Sequence, residues 1–137
     1  MQWPLVSTYA GASAGTAVVN LSDLATLPVV TAASQNFDGV TPPALPAGWT
    51  QATLTGAPTL PFRTVAGGDV ANGAQGTPAA AVSDQVLVSP GIALPAGVPA
   101  QLTFRHTYSL EPGYDGAVLE IAIPGVAGGV FQDILVA

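Results

Sequence analysis

The side chains best suited to chemistry in this sequence are carboxylates in loops rich in proline and glycine. Glu111 and Asp115 lie four positions apart in the segment SLEPGYDG, and Asp38 lies in the segment NFDG. Carboxylate oxygens and exposed loop carbonyls are the ligands that calcium prefers. The sequence therefore predicts a calcium site formed by Glu111 and Asp115, which Asp38 completes if the fold brings it near. A consensus calcium loop of the D-x-[DN]-x-[DN]-G type is not present.

The same three acids have an alternative interpretation as residues that set turns. Asp38 and Asp115 each precede a glycine, and aspartate in that position often bonds to nearby backbone N–H groups. Glu111 could instead pair with Arg105 or Arg63, the two cationic side chains of the chain. Turn setting would account for all three acids without a metal.

The sequence offers no set of residues that would make it an enzyme. His106 is the single histidine, there is no cysteine, and neither G-x-S-x-G nor H-E-x-x-H occurs. One histidine cannot form a histidine-rich zinc site, and its place in an alternating strand predicts a core imidazole. Glycoside hydrolysis needs two carboxyl groups at a defined separation. The sequence contains eight acidic residues but does not show which of them lie at that separation. We expect no catalytic residues.

Tyr114 is the aromatic residue that we expect to be exposed, because it lies inside the EPGYDG loop. It is the candidate for ligand binding by stacking. The alternative is that its ring packs back over the hairpin, as loop aromatics often do. Trp49, Phe104 and Tyr108 fall at positions better suited to a core.

Charge and composition exclude several classes of partner. The 137 residues carry a net charge of −6 with two cationic side chains, whereas nucleic acid and anionic lipid both require clustered lysine or arginine. The sequence contains no run of 18 apolar residues, so it does not predict a membrane-spanning helix. Only 7% of residues are charged, a composition common in secreted and surface proteins of bacteria. We expect an extracellular or cell-surface location.

Strands are the predicted secondary structure, because 16 glycines and 13 prolines interrupt nearly every window in which a helix could form. Residues 101–108 (QLTFRHTY) and 117–123 (AVLEIAI) alternate apolar and polar or small side chains with the period of a strand. With the loop between them they predict a hairpin. Further strands are predicted at 48–54, around Phe62, within 79–92 and at 130–136. Short strands at this spacing favour an all-β antiparallel sandwich or barrel over parallel βαβ units.

Five segments occur together in an informative order. They are NFDG (36–39), PALPAGW (43–49), SDQVLVSP (83–90), LTFRHTYSLEPGYDGAVLEI (102–121) and GGVFQDIL (128–135). The series resembles the jelly-roll domains of secreted bacterial proteins related to MAM and cleaved-adhesin domains, which occur in adhesins and beside secreted metallopeptidases.

This resemblance implies a jelly-roll β-sandwich over residues 36–137, with residues 1–35 as an extension, linker or donor strand. In such domains an acidic residue at the position of Asp38 often helps to bind a structural cation. Domains of this group continue for several more strands after the FQDI element. The resemblance therefore also predicts an incomplete sandwich, which is either a fragment of a longer domain or is completed by a partner strand.

The function expected from these observations is a non-catalytic extracellular module for adhesion or for binding a glycan or a cell-surface protein. One alternative is a structural subunit that forms an extracellular filament by strand exchange, that is, by self-association through strand addition. Another is an accessory domain of a secreted metallopeptidase. Calcium is the one cofactor that we consider.

Overall fold

The structure is a computed structural model that describes residues 15–18, 30–57, 60–67, 71–77 and 79–135. In these residues the regular structure is almost entirely strand, apart from a short 3₁₀ turn at Ala127–Gly129. The strands are β1 (Gly15–Val18), β2 (Thr50–Thr55), β3 (Arg63–Ala66), β4 (Asn72–Gln75), β5 (Asp84–Val88), β6 (Thr103–His106), β7 (Glu120–Ile121) and β8 (Gln132–Asp133). The all-β prediction is confirmed at this level.

The strands pair two by two, and every pair is antiparallel. In the described part of the chain the pairs are β1 with β6, β2 with β5, β3 with β4, and β7 with β8. The chain divides into two compact units, one ending at Thr107 and the other beginning at Tyr108. The first unit contains β1 to β6, and the second contains β7 and β8.

The predicted hairpin between residues 101–108 and 117–123 is wrong. β6 pairs with β1, where Gly15 lies opposite His106, and β7 pairs with β8. The Ile134 N–H also donates a hydrogen bond to the Leu119 carbonyl at 3.0 Å, which extends the pairing of β7 with β8. Alternation along a strand shows which side chains share a face, but it does not identify the neighbouring strand.

The β2–β5 ladder is the longest and contains an irregularity. Thr53 lies opposite Gln85 and Thr55 opposite Asp84, so β2 has one additional residue at this point. Such a bulge bends the strand and increases its twist. Gly56 follows with a φ of +78°, a backbone conformation that glycine adopts more readily than other residues. The end of β2 is thus shaped by a bulge and a left-handed glycine.

The β3–β4 ladder is extended by a backbone hydrogen bond at one end, and an aromatic ring packs beside its other end. The Gly67 N–H donates to the Ala71 carbonyl at 2.9 Å. After β4, a Cβ on Gly76 would lie 2.8 Å from the Phe62 ring. The ring therefore packs directly on the backbone at Gly76, where a larger residue would displace it.

Side chains of the described residues are mostly exposed. Only Pro46 and Thr64 are buried there, and Thr64 retains 1% exposure. The core face predicted for residues 101–108 is wrong in this respect, since Phe104 is 38% exposed and Tyr108 44% exposed. A two-stranded ladder has no second sheet of its own to cover a face. No helix in the described residues is both long and apolar enough to cross a bilayer.

Candidate functional site

Asp38 lies in a turn that we call the first acidic turn, residues 35–40. Its Oδ1 accepts a hydrogen bond from the backbone N–H of Asn72 at 2.9 Å, and its Oδ2 accepts one from Asn36 Nδ2 at 2.9 Å. The Asp38 N–H donates to Asn36 Oδ1 at 3.1 Å. Both carboxylate oxygens therefore have a donor from within the protein.

Asn72, the first residue of β4, provides the other half of this contact. Its side-chain Nδ2 donates to the carbonyl of Phe37 at 3.1 Å and to the carbonyl of Val40 at 3.2 Å. With the backbone bond to Asp38, three hydrogen bonds fasten the first acidic turn to β4. We call this set of bonds the Asn72 latch. Carbonyl oxygens such as those of Phe37 and Val40 are of the kind that coordinate calcium. Here they accept hydrogen bonds from the Asn72 amide.

The latch holds a strained residue in place. Phe37 has a φ of +63°, which costs a non-glycine residue on the order of 1 kcal/mol or more. The Phe37 N–H donates to Gln35 Oε1 at 2.7 Å. Its ring meets Trp49 edge-on at a centroid distance of 5.1 Å, a favourable aromatic geometry. The adjacent phenylalanine and aspartate thus fix the turn from two sides, one apolar and one polar.

Glu111 and Asp115 form what we call the second acidic turn, residues 111–115. The Asp115 N–H donates to the Glu111 carbonyl at 3.0 Å, and the Glu111 N–H donates back to Asp115 Oδ2 at 3.0 Å. The Tyr114 N–H also donates to the Glu111 carbonyl, at 3.1 Å. Gly113 has a φ of +81°, which allows the reversal. The two ends of the turn are therefore tied together by reciprocal bonds.

Tyr114 projects from the second acidic turn with 84% of its surface exposed. The alternative that its ring packs back over neighbouring strands is therefore wrong. Because the turn is already hydrogen-bonded, its backbone needs little further ordering when the exposed ring contacts a ligand. Such an exposed ring offers a contact surface that is partly apolar and partly polar.

The hydrogen bonds bear on the interpretation of the acids. Asp115 bonds to the backbone of its own turn, so the turn-setting interpretation is confirmed for it. Asp38 reaches further, to a strand 34 residues away. In the part of the chain that the structure describes, no three histidine, aspartate or glutamate residues are grouped so that they could hold a metal. The calcium site of Asp38, Glu111 and Asp115 stays a prediction.

The remaining polar candidates have structural contacts. Arg63, one of the cations considered for Glu111, donates to Thr77 Oγ1 and to Gln75 Oε1, both at 3.3 Å. The His106 ring lies 5.4 Å from the Phe104 ring, so these two side chains do share a face of β6, as the alternation predicts. Asn72 is the residue that sequence reasoning missed, because an Asn-Gly pair in a segment without alternation indicates a turn and not a strand.

Comparison of the chain with protein-family models, with curated proteins and with solved structures finds no match in any of the three. The resemblance of the segments between Asn36 and Leu135 to MAM-related jelly-roll domains stays a prediction.

Proposed function

We propose that the chain is a non-catalytic extracellular module that serves adhesion by binding a glycan or a cell-surface protein. Within this proposal the antiparallel ladders belong to a β-sandwich of jelly-roll type, as the sequence resemblance implies. The low charge content of 7% supports an extracellular location. Acids engaged in turns, at Asp38 and Asp115, support a scaffolding use of carboxylates.

The observation that carries the proposal is the exposed ring of Tyr114 on the second acidic turn. Tyrosine supplies a large contact area that is partly apolar and partly polar, at low entropic cost, which is why it is frequent in binding loops. An exposed tyrosine on a flexible loop would be weak support for a binding site. Here the reciprocal bonds between Glu111 and Asp115 tie together the two ends of the turn that carries Tyr114.

Charge narrows the ligand class. Tyr114 lies in the same turn as the acidic residues Glu111 and Asp115, and the whole chain has a net charge of −6. Polyanions would be repelled, whereas a neutral sugar can stack an apolar face on tyrosine and donate hydroxyl hydrogens to carboxylates. A protein surface bearing lysine or arginine would also fit, through charge and through contact with the ring.

An array of immobilised glycans and extracellular proteins tests the proposed function. The purified chain should bind a restricted set of neutral glycans or basic proteins in buffer containing calcium. A parallel array in EDTA tests the calcium prediction, since a bound structural cation would make binding calcium-dependent. Absence of binding to every glycan and every protein, in both buffers, would remove the adhesion proposal.

Substitution of Tyr114 tests where the ligand binds. Tyr114→Ala should weaken binding at least roughly tenfold, as expected for a central aromatic contact, and should change the free energy of unfolding by no more than about 0.5 kcal/mol, because the side chain is exposed. Tyr114→Phe is the matched control, which retains the ring and should retain most of the affinity for a stacked ligand. Titration calorimetry and urea denaturation measure the two quantities. Equal affinity of the alanine variant and the native chain would place the site elsewhere.

A second candidate function, assembly by strand exchange, is supported by the pairing of β1. Residues 15–18 lie within the segment considered as a donor strand, and they pair with β6 of their own chain. Exchange would transfer this strand to β6 of another copy, which is domain swapping. Apolar side chains of the ladders are exposed, among them Phe104 at 38% and Leu54 at 62%, and such surfaces favour association.

Mass measurement in solution tests this second function. If strands are exchanged, the mass should rise with protein concentration, and electron microscopy of concentrated samples should show filaments. A deletion of residues 15–18 should abolish the assembly, because no strand remains to transfer. A monomer that unfolds cooperatively at every concentration would exclude strand exchange.

A further inference from the structure

We propose that Asn72 is a site of spontaneous deamidation and that the Asn72 latch controls the rate of this reaction. Asn72 is the one asparagine followed by glycine, since Asn20 precedes leucine and Asn36 precedes phenylalanine. A following glycine offers the least steric hindrance to cyclisation, because it has no Cβ. This chemistry is independent of the proposed adhesion function.

The reaction needs only water. The backbone nitrogen of Gly73 attacks the side-chain carbonyl carbon of Asn72, a new C–N bond forms, and the bond from this carbon to Nδ2 breaks. The Gly73 nitrogen loses its proton and Nδ2 leaves as ammonia, so that a five-membered succinimide remains. Water then opens the ring at one of its two carbonyl groups and yields aspartate or isoaspartate. Overall, asparagine and water are converted to aspartate and ammonia.

The folded structure opposes the first step. The leaving nitrogen, Nδ2 of Asn72, is bonded to the Phe37 and Val40 carbonyls, and the Asn72 N–H is bonded to Asp38. The attacking residue, Gly73, lies in β4 opposite Val65 of β3, where the extended backbone is held by the ladder. Cyclisation therefore requires the latch to open and β4 to bend locally, and its rate should follow the population of that open state.

The product cannot close the latch again. A carboxylate at position 72 has no hydrogen to donate, so the carbonyls of Phe37 and Val40 lose their donors. It also adds a second negative charge beside Asp38, which is unfavourable at short range. An isoaspartate additionally lengthens the backbone within β4. Deamidation would therefore act as a one-way release of the first acidic turn.

Peptide mapping by mass spectrometry tests this inference on the full chain. The native protein is incubated at neutral pH, folded in buffer and unfolded in urea, and the ammonia-releasing conversion is measured at each asparagine. Conversion should be confined to Asn72 and should be at least roughly tenfold slower in the folded chain, because each hydrogen bond of the latch lowers the open population. The Asp-Gly pairs at Asp38 and Asp115 can isomerise through the same ring without releasing ammonia, so the mass change distinguishes them.

Two variants distinguish the effect of the Asn72 latch on the deamidation rate from the effect of the Asn-Gly sequence itself. Gly73→Ala should suppress conversion in both folded and unfolded chains, and the fold accepts it because a Cβ on Gly73 meets no atom within 4 Å. Asp38→Ala should accelerate conversion in the folded chain roughly tenfold by removing a charge-assisted bond, and should leave the rate in urea unchanged. Equal folded and unfolded rates in the native chain would overturn the proposal, whether or not the Asp38 variant folds. So would conversion of Asn36 in preference to Asn72.

Discussion

Replacing Gly56 with alanine should lower the free energy of unfolding by about 3 kcal/mol, the sum of a strained backbone and a steric conflict. The φ of Gly56 is +78°, where a Cβ is unfavourable. An added Cβ would also collide with the Val82 carbonyl oxygen and with Ser83, which are backbone and near-backbone atoms that cannot rotate away. Urea denaturation of the native chain and the variant measures the difference.

Gly67 is the matched control for this substitution. Its φ is +85°, but a Cβ there meets no atom within 4 Å. Gly67→Ala should therefore cost about 1 kcal/mol, the backbone part alone. If both alanine variants lose the same stability, the close packing of the end of β2 against residues 82–83 is not present in solution.

Replacing Asn72 with aspartate should cost about 2 to 3 kcal/mol, because two carbonyl acceptors lose their donor. The new carboxylate would face the carbonyls of Phe37 and Val40 and would stand beside the carboxylate of Asp38. Thermal and urea denaturation measure the loss. The variant also reproduces the aspartate product of deamidation, so its stability indicates what conversion does to the folded chain.

Gln75→Glu is the control for the charge that this variant adds. Gln75 lies at the other end of β4, and its Oε1 accepts a hydrogen bond from Arg63. A glutamate keeps that acceptor and gains the attraction of the arginine, so the expected change is within about 0.5 kcal/mol. A loss as large as that of Asn72→Asp would mean that added negative charge, and not the latch, determines the stability of β4.

Some strands follow directly from the sequence. β6 lies inside the alternating segment 101–108, and β2 and β5 lie in segments rich in threonine, valine and leucine, whose side chains fit a pleated surface. β4 could not be predicted, because its sequence NGAQ contains neither alternation nor β-branched residues. It becomes a strand through its pairing with β3, a tertiary contact that local sequence does not encode.

The partner of each strand was less predictable than the strand itself. The hairpin expected from residues 101–123 assumed that neighbours in sequence pair in space. β6 instead pairs with β1, a strand more than eighty residues earlier. Likewise, the alternation of Phe104 and His106 correctly predicts a shared face, but a shared face is buried only when another layer covers it.

The two acidic turns differ in how far the sequence could predict them. The second is local, since glycine at position 113 and aspartate at position 115 are the residues that reversals require. The first depends on Asn72, which lies 34 residues from Asp38. An uncharged amide at that distance carries no periodic or motif signal, so only the fold reveals the contact.

We propose that the acids of the two turns have a scaffolding role and that the exposed ring of Tyr114 serves recognition. Architecture alone does not determine function, so the assignment depends on the geometry of the second acidic turn. A ring at 84% exposure has an apolar surface that a ligand can cover, and the bonded turn beneath it limits the entropic cost of binding.

Amide hydrogen exchange with and without the ligand that the array identifies is the most direct test of this assignment. The ligand should slow exchange at Tyr114 and Asp115, whose N–H groups bond to the Glu111 carbonyl, and should leave Asp38 and Asn72 unchanged. Slowing confined to the first acidic turn, or none at residues 111–115, would contradict recognition through Tyr114.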